Sequence, residues 1–189
     1  RLYHLPPEHV VVTPLGADPD FAPDGAARGD DLLLVGSIEA RKRPLVAADA
    51  ARAVGRRLVA VGPVRDEALA AALRERGVEV RGFVDKDELI RLYRNAAAVL
   101  APTSYEGFGL TVAEAMACGA PVVAAPDPAV RETGGDAVAY AEPDDFAERL
   151  REVLADPEPW SRAGLERARQ LSWDTTAAAT AAVYRAVLA

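Results

Sequence analysis

From Asp30 onward, short continuous apolar runs alternate with longer stretches that mix apolar and charged positions. "DLLLVG" (31–36) has the character of a strand buried on both faces. Pro44 fits the first turn of a helix through about Val54, with Gly55 as its stop. "RLVAVG" (57–62) predicts the next strand, and a helix over Asp66–Arg76 ends at Gly77. "VEVRGF" (78–83) follows, then a helix opened by Asp85 and stopped at Asn95; Glu88, three residues on, completes a capping-box arrangement. "AAVLAP" (97–102), "APVVAA" (120–125) and "AVAY" (137–140) are further strand candidates. From Pro143 on there is no strand signal, and helices are expected near Asp144–Ala155, Glu158–Gln170 and Trp173–Leu188. Strands of this length alternating with helices make right-handed β-α-β units. The fold class is therefore α/β, a doubly wound parallel sheet with a helical C-terminal tail.

Residues 1–28 read differently. One short β run, His9 to Thr13, gives way to Pro, Gly and Asp in quick succession, the pattern of a strand and then a linker. With 189 residues, half of them hydrophobic, the chain can build one good-sized core, or one domain plus a tail. A formal charge of −7 and a pI near 4.9 argue against nucleic acid or an anionic membrane surface as the main partner. One cysteine, Cys118, excludes an internal disulfide framework and fits a reducing, cytoplasmic setting. Set between Ala117 and Gly119, it reads as a buried small hydrophobe rather than a nucleophile. The histidines, His4 and His9, cannot form a metal site with it in any familiar spacing. There is no run of about 18 apolar residues to span a membrane, and the first residues lack the form of a signal peptide.

In open α/β sheets, ligands bind outside the carboxyl ends of the strands. Two stretches of this sequence fall there. "TSYEGFG" (103–109) connects the strand ending at Pro102 to a helix expected to begin near Gly109 or Leu110. Gly107 and Gly109 let a ligand approach the backbone, and the first free amides of the helix favour anionic or oxygen-rich groups. Glu106 and Glu114 would flank a ligand lying across that helix start, and a fixed carboxylate suits the hydroxyls of a sugar or ribose. The plainer reading is a solvated loop acid and an incidental helix acid; spacing alone does not choose. "GSIEARKRP" (36–44) follows the first strand, and its run Arg41-Lys42-Arg43 suits a phosphate or diphosphate, or is simply a solvated turn.

These motifs resemble the carboxyl-terminal, donor-binding half of glycosyltransferase family 4 (group 1), retaining enzymes of the two-domain GT-B fold. The resemblance rests on "VVVTPLGADPDFAP", "VGSIEARKRP", "RGFVDKDELIRLYRNAAAVLAPTSYEGFGLTVAEAMACGAPVV" and "RARQLSWDTTAAATAAVYR". It implies that residues 1–28 are the remnant of an N-terminal domain and the interdomain linker, and 29–189 a Rossmann-like domain for a nucleotide-sugar donor. Glu114 would hold the ribose hydroxyls. Glu106, the candidate catalytic residue, would position the donor sugar and stabilise positive charge rather than act as nucleophile. Gly107, Phe108, Gly109 and Leu110 would offer backbone to sugar and diphosphate. Arg41 and Lys42 would neutralise the diphosphate leaving group, and Gly82, Phe83 and Val84 would line the base pocket. No metal and no cofactor is implied.

The departures concern Ser37, where relatives carry an arginine that Arg41 would replace, and Leu15, in place of an asparagine. The loop "APDPAVRE" (125–132) lacks the family's usual glycine pair. Members are roughly twice this length, so the resemblance implies an excised domain or natural fragment. The acceptor, and any peripheral membrane association, would belong to the missing half. The fragment alone is then expected to bind donor without efficient transfer. Two rival readings are a stand-alone nucleotide-sugar-binding module and a GT-B epimerase or hydrolase. Trp173 is expected to anchor the start of the last helix, with Ser172 or Asp174 as cap, and that helix's apolar face is a candidate homodimer surface.

Overall fold

The computed structural model describes Pro6 and residues 9–188. Six parallel strands form one sheet: β1 (Leu32–Val35), β2 (Leu58–Val61), β3 (Glu79–Gly82), β4 (Ala98–Ala101), β5 (Val122–Ala124) and β6 (Ala139–Tyr140). Their spatial order is β3-β2-β1-β4-β5-β6. The connectivity runs outward from β1 to β3 and then crosses back to start again at β4. The reversal leaves a crevice at the carboxyl ends of β1 and β4, where two successive loops diverge.

Side chains alternate across the strands, as the two-residue pleat requires. Leu33, Val59, Val61, Val99 and Val122 face one layer of helices: α3 (Lys86–Asn95), α4 (Leu110–Ala117), α5 (Pro128–Gly134) and α7 (Glu158–Ala168). Leu32, Leu34, Leu58, Ala60, Leu100 and Val123 face the other: α1 (Pro44–Ala53), α2 (Glu67–Glu75) and α6 (Phe146–Ala155). Burial on both faces explains why these strands are apolar throughout. The last helix, α8 (Trp173–Leu188), buries none of its residues. No helix among the described residues is long and apolar enough to cross a membrane.

The predicted helix starts are made by the expected caps. Asp66 accepts the Leu69 amide at 3.0 Å and Asp85 accepts the Glu88 amide at 2.8 Å. The capping box at Asp85 is only half made, because the Glu88 carboxylate pairs with Arg81 and Arg91, at 2.9 Å and 2.6 Å. At α8 it is Ser172 that caps, accepting the Thr175 amide.

Two expectations are corrected. His9–Thr13 is not a strand: Val10, Val11 and Val12 are exposed, and no described strand pairs with them. Valine-rich runs become strands only against a partner. The stretch 125–132 is not simply a loop, since Pro128 opens α5 behind Asp127, whose side chain accepts the amides of Ala129 and Val130. His4 lies outside the described residues.

Candidate functional site

The loop after β1 enters the crevice through a backbone made for close approach. Gly36 ends the strand, and a Cβ there would meet the Lys42 side chain at 3.3 Å; one on neighbouring Gly62 would sit 2.2 Å from the Gly36 carbonyl oxygen. A short 3-10 turn, Ala40–Lys42, is then reversed at Arg43, which adopts the left-handed conformation (φ 46°) before Pro44 starts α1. A non-glycine residue there costs roughly 1–2 kcal/mol. The strained reversal lifts Arg41 and Lys42 over the end of β1.

The loop after β4 meets it. The Arg41 carbonyl accepts from the Ser104 amide at 2.9 Å and the Ser104 hydroxyl at 3.0 Å, and Arg41 Nη1 donates to the Tyr105 carbonyl at 2.8 Å. Lys42 Nζ is ion-paired with Glu106 Oε1, and Arg41 Nη1 stands 3.7 Å from Glu106 Oε2. Arg41 is also held by Glu39 at 2.8 Å. The Ser37 hydroxyl donates to that same Glu39 carboxylate, and with Arg41 lowers its pKa below the usual range. Ser37 and Arg41 thus share one oxygen of the Glu39 carboxylate.

Gly109 (φ 93°) caps α4 without any side-chain hydrogen bond, so the first amides of the helix stay open to the crevice. Thr133 of α5 donates its hydroxyl to the Phe108 carbonyl from beneath. Lys42, Glu106, Gly107, Phe108, Gly109 and Leu110 line one cleft of about 530 Å³, closed on its other side by Val12–Leu15 and by Ala129 and Glu132. One acid and two cations at an uncapped helix start can take a ligand with both hydroxyl and anionic oxygens.

Glu114 lies farther along α4, outside the lining of that cleft, and faces α3, where the fully buried Tyr93 donates to its Oε2 at 3.0 Å. Burial raises the Glu114 pKa, the Tyr93 hydrogen bond opposes it, and the charge of Asp18 adds to the rise. Gly82 (φ 72°) ends β3 with its carbonyl bonded to the Gly62 amide at 2.7 Å, and Phe83 beyond it is among the most exposed side chains. Gly82, Phe83 and Val84 do not line the cleft. Sequence reasoning missed Ser37, Glu39, Tyr93 and Thr133. Of the α5 contribution, the Asp127-Pro128 cap signal was there to be read. Cys118 is buried, its thiol pushed up to about 12 by burial.

A sheet in this strand order, with its charged cleft at the reversal point, defines a Rossmann-like α/β domain. The chain belongs to the glycosyl transferases group 1 family, which it matches over residues 29–156. It is 29% identical to the O-antigen chain mannosyltransferase B of Escherichia coli, over 98% of this chain and 56% of that protein. It is 36% identical to the D-inositol 3-phosphate glycosyltransferase of Kribbella flavida, over 97% and 52%. Among solved structures, a glycosyltransferase involved in avilamycin A biosynthesis superposes with a TM-score of 0.76 at 29% identity, covering 94% of this chain and 58% of that one. The sucrose-phosphate synthase of Thermosynechococcus elongatus gives 0.78 at 25% identity, covering 93% and 52%. The chain therefore spans a little over half the length of these relatives.

Proposed function

We propose that this chain is the donor-binding half of a retaining, metal-independent glycosyltransferase that moves a hexose from a nucleoside diphosphate sugar to an acceptor. The acceptor would be held by an N-terminal domain for which residues 1–28 supply the connection, and the enzyme would work in the cytoplasm. The observation that carries the reading is the meeting of Lys42 and Arg41 with Glu106 at the uncapped start of α4. Lys42 and Arg41 would take the charge that develops on the departing diphosphate as the bond from anomeric carbon to phosphate oxygen breaks. The acceptor oxygen would attack from the face the nucleotide leaves, passing its proton to that leaving oxygen. Glu106 would hold the sugar and stabilise the positive charge at the anomeric carbon. Glu114 would take the ribose hydroxyls, while Gly82, Phe83 and Val84 would meet the base. The amides at Phe108–Leu110 would complete the cradle.

Calorimetric titration with nucleoside diphosphates tests the reading, in buffer containing a metal chelator. Binding is expected without magnesium. Lys42→Ala is expected to weaken the diphosphate by about 1–3 kcal/mol, as for a lost charge-assisted hydrogen bond, and to leave the free nucleoside little changed. An equal loss for both ligands would contradict the phosphate role.

A further inference from the structure

Tyr93 sits in α3 with none of its surface exposed, its ring edge-on to Phe21 of the linker at a centroid separation of 5.8 Å. Its hydroxyl donates to Glu114 Oε2 on α4 and also meets the Thr111 side chain one turn earlier on that helix. The other carboxylate oxygen, Oε1, has no hydrogen-bond partner among the described residues. Stability alone does not account for this pair. A phenylalanine would fill the same ring space without a buried hydroxyl to satisfy, and a neutral residue at position 114 would avoid a half-buried charge. Costly polar pairs of this kind persist where they place a functional group.

We propose that Tyr93 is a positioning residue for the nucleoside part of the donor. Its hydroxyl anchors Glu114 Oε2 so that Oε1 is presented, in one orientation, to the vicinal hydroxyls of a ribose. The proposal rests on the reading of Glu114 as a ribose acceptor and adds the group that aims it. Phe21 ties the same ring to the linker. So do ion pairs from Lys86, at the other end of α3, to Asp18 at 2.7 Å and Asp20 at 2.5 Å. The helix that aims Glu114 is thus the one on which the linker rests.

Tyr93→Phe keeps the ring and removes only the donor. With UDP, GDP and ADP as probes, the variant is expected to bind the preferred ribonucleotide about 5- to 50-fold more weakly, with the 2′-deoxynucleotide and inorganic pyrophosphate little affected. Glu114→Gln is expected to show a loss at least as large, and the double variant no further loss. Glu114→Asp keeps the charge but draws it one methylene out of reach of Tyr93, and is expected to lose affinity as Tyr93→Phe does. A pH series separates aiming from packing. The titratable groups acting on Glu114 are Tyr93 from α3 and Asp18 from the linker, and Glu114 in turn acts on Cys118 at the end of α4. Without the Tyr93 donor, the pH above which binding reaches full strength is expected to rise, whereas a packing defect lowers the melting temperature and leaves that pH in place. Parent-like affinity in both Tyr93→Phe and Glu114→Asp, alongside a loss in Glu114→Gln, overturns the positioning role alone. Parent-like affinity in Glu114→Gln overturns the ribose reading with it.

Discussion

Lys42 and Arg41 both reach Glu106, Arg41 being held also by Glu39, and on the proposed reading the Glu106 carboxylate would compete with a diphosphate for the two cations. Both partners of the Lys42–Glu106 pair are mostly covered, with side chains 14% and 17% exposed, so solvent screens the pair only in part. Glu106→Gln is therefore expected to bind inorganic pyrophosphate roughly two- to fivefold more tightly at low salt, the equivalent of about 0.5–1 kcal/mol. Unchanged or weaker binding would show that the pair does not tune the cations. Glu114 makes the complementary case in stability. Burial raises its folded-state pKa above the unfolded value, so the native chain binds the proton more readily. Stability then falls as pH rises from the unfolded to the folded value, and above the latter the full cost of the charge remains. Glu114→Gln removes that charge yet still accepts from Tyr93. Urea unfolding at pH 7 is expected to find it more stable by about 0.5–1 kcal/mol, the gap narrowing as pH is lowered through the carboxyl titration. A less stable variant at pH 7 would refute the assignment of burial as the dominant effect.

The helix α5 joins fold and cleft, since Val130 packs in the core while Thr133 holds the Phe108 carbonyl and Ala129 and Glu132 line the wall. Its start depends on Asp127, itself buried, and Asp127→Ala is expected to cost about 1 kcal/mol, as for other N-caps. Denaturant midpoints measure that loss, and pyrophosphate binding should weaken alongside as the Phe108 carbonyl loosens; a fall in stability with untouched binding would uncouple α5 from the site. The same helix shows where the sequence is hard to read. Strands β1, β2 and β4 are legible because burial on both faces demands unbroken apolar runs, and Asp66 and Asp85 mark helix starts by local chemistry. The α5 segment is short and opens at Pro128, two residues after Pro126, so its readable Asp127-Pro128 cap signal sits among turn signals. Arg43 gives no hint of a left-handed turn, because nothing in an arginine favours one. Tyr93 is hidden by periodicity: beside Leu89 and Ile90 it reads as one more apolar position on a helix face. Lys42 and Glu106 are far apart in sequence, and only the strand order brings them together. Conversely, Val10–Val12 carry a strong local preference for a strand that no neighbour among the described residues satisfies.

Across the whole molecule, the segment over residues 12–22 is a structural wall. Val12–Leu15 close the cleft opposite Lys42 and Glu106. The segment is fastened at the foot of α8, where Thr176 Oγ1 donates to the Pro14 carbonyl at 2.6 Å and the Ala17 amide to the Leu171 carbonyl at 2.9 Å. Farther on, Arg94 Nε donates to the Ala22 carbonyl at 2.6 Å, fixing the segment to α3. Gly16 sits where the two backbones touch: a Cβ there would lie 2.2 Å from the Trp173 amide nitrogen and 2.4 Å from the Ser172 carbonyl carbon. Neither atom belongs to a side chain that can swing aside, so a single methyl must push the segment and the helix apart. Gly16→Ala is accordingly expected to lower unfolding stability by about 1–3 kcal/mol, the usual range for overpacking. Because the displaced segment is also the cleft wall, the variant should be cut faster by protease between residues 10 and 20 and should bind nucleoside diphosphate more weakly. Gly55→Ala serves as control, since its Cβ meets nothing within 4 Å; it carries the backbone strain of a positive φ without any clash and sits far along the chain from residues 12–22. If Gly16→Ala unfolds, resists protease and binds as the parent does, the segment is not fastened to α8, and the cleft has no wall on that side.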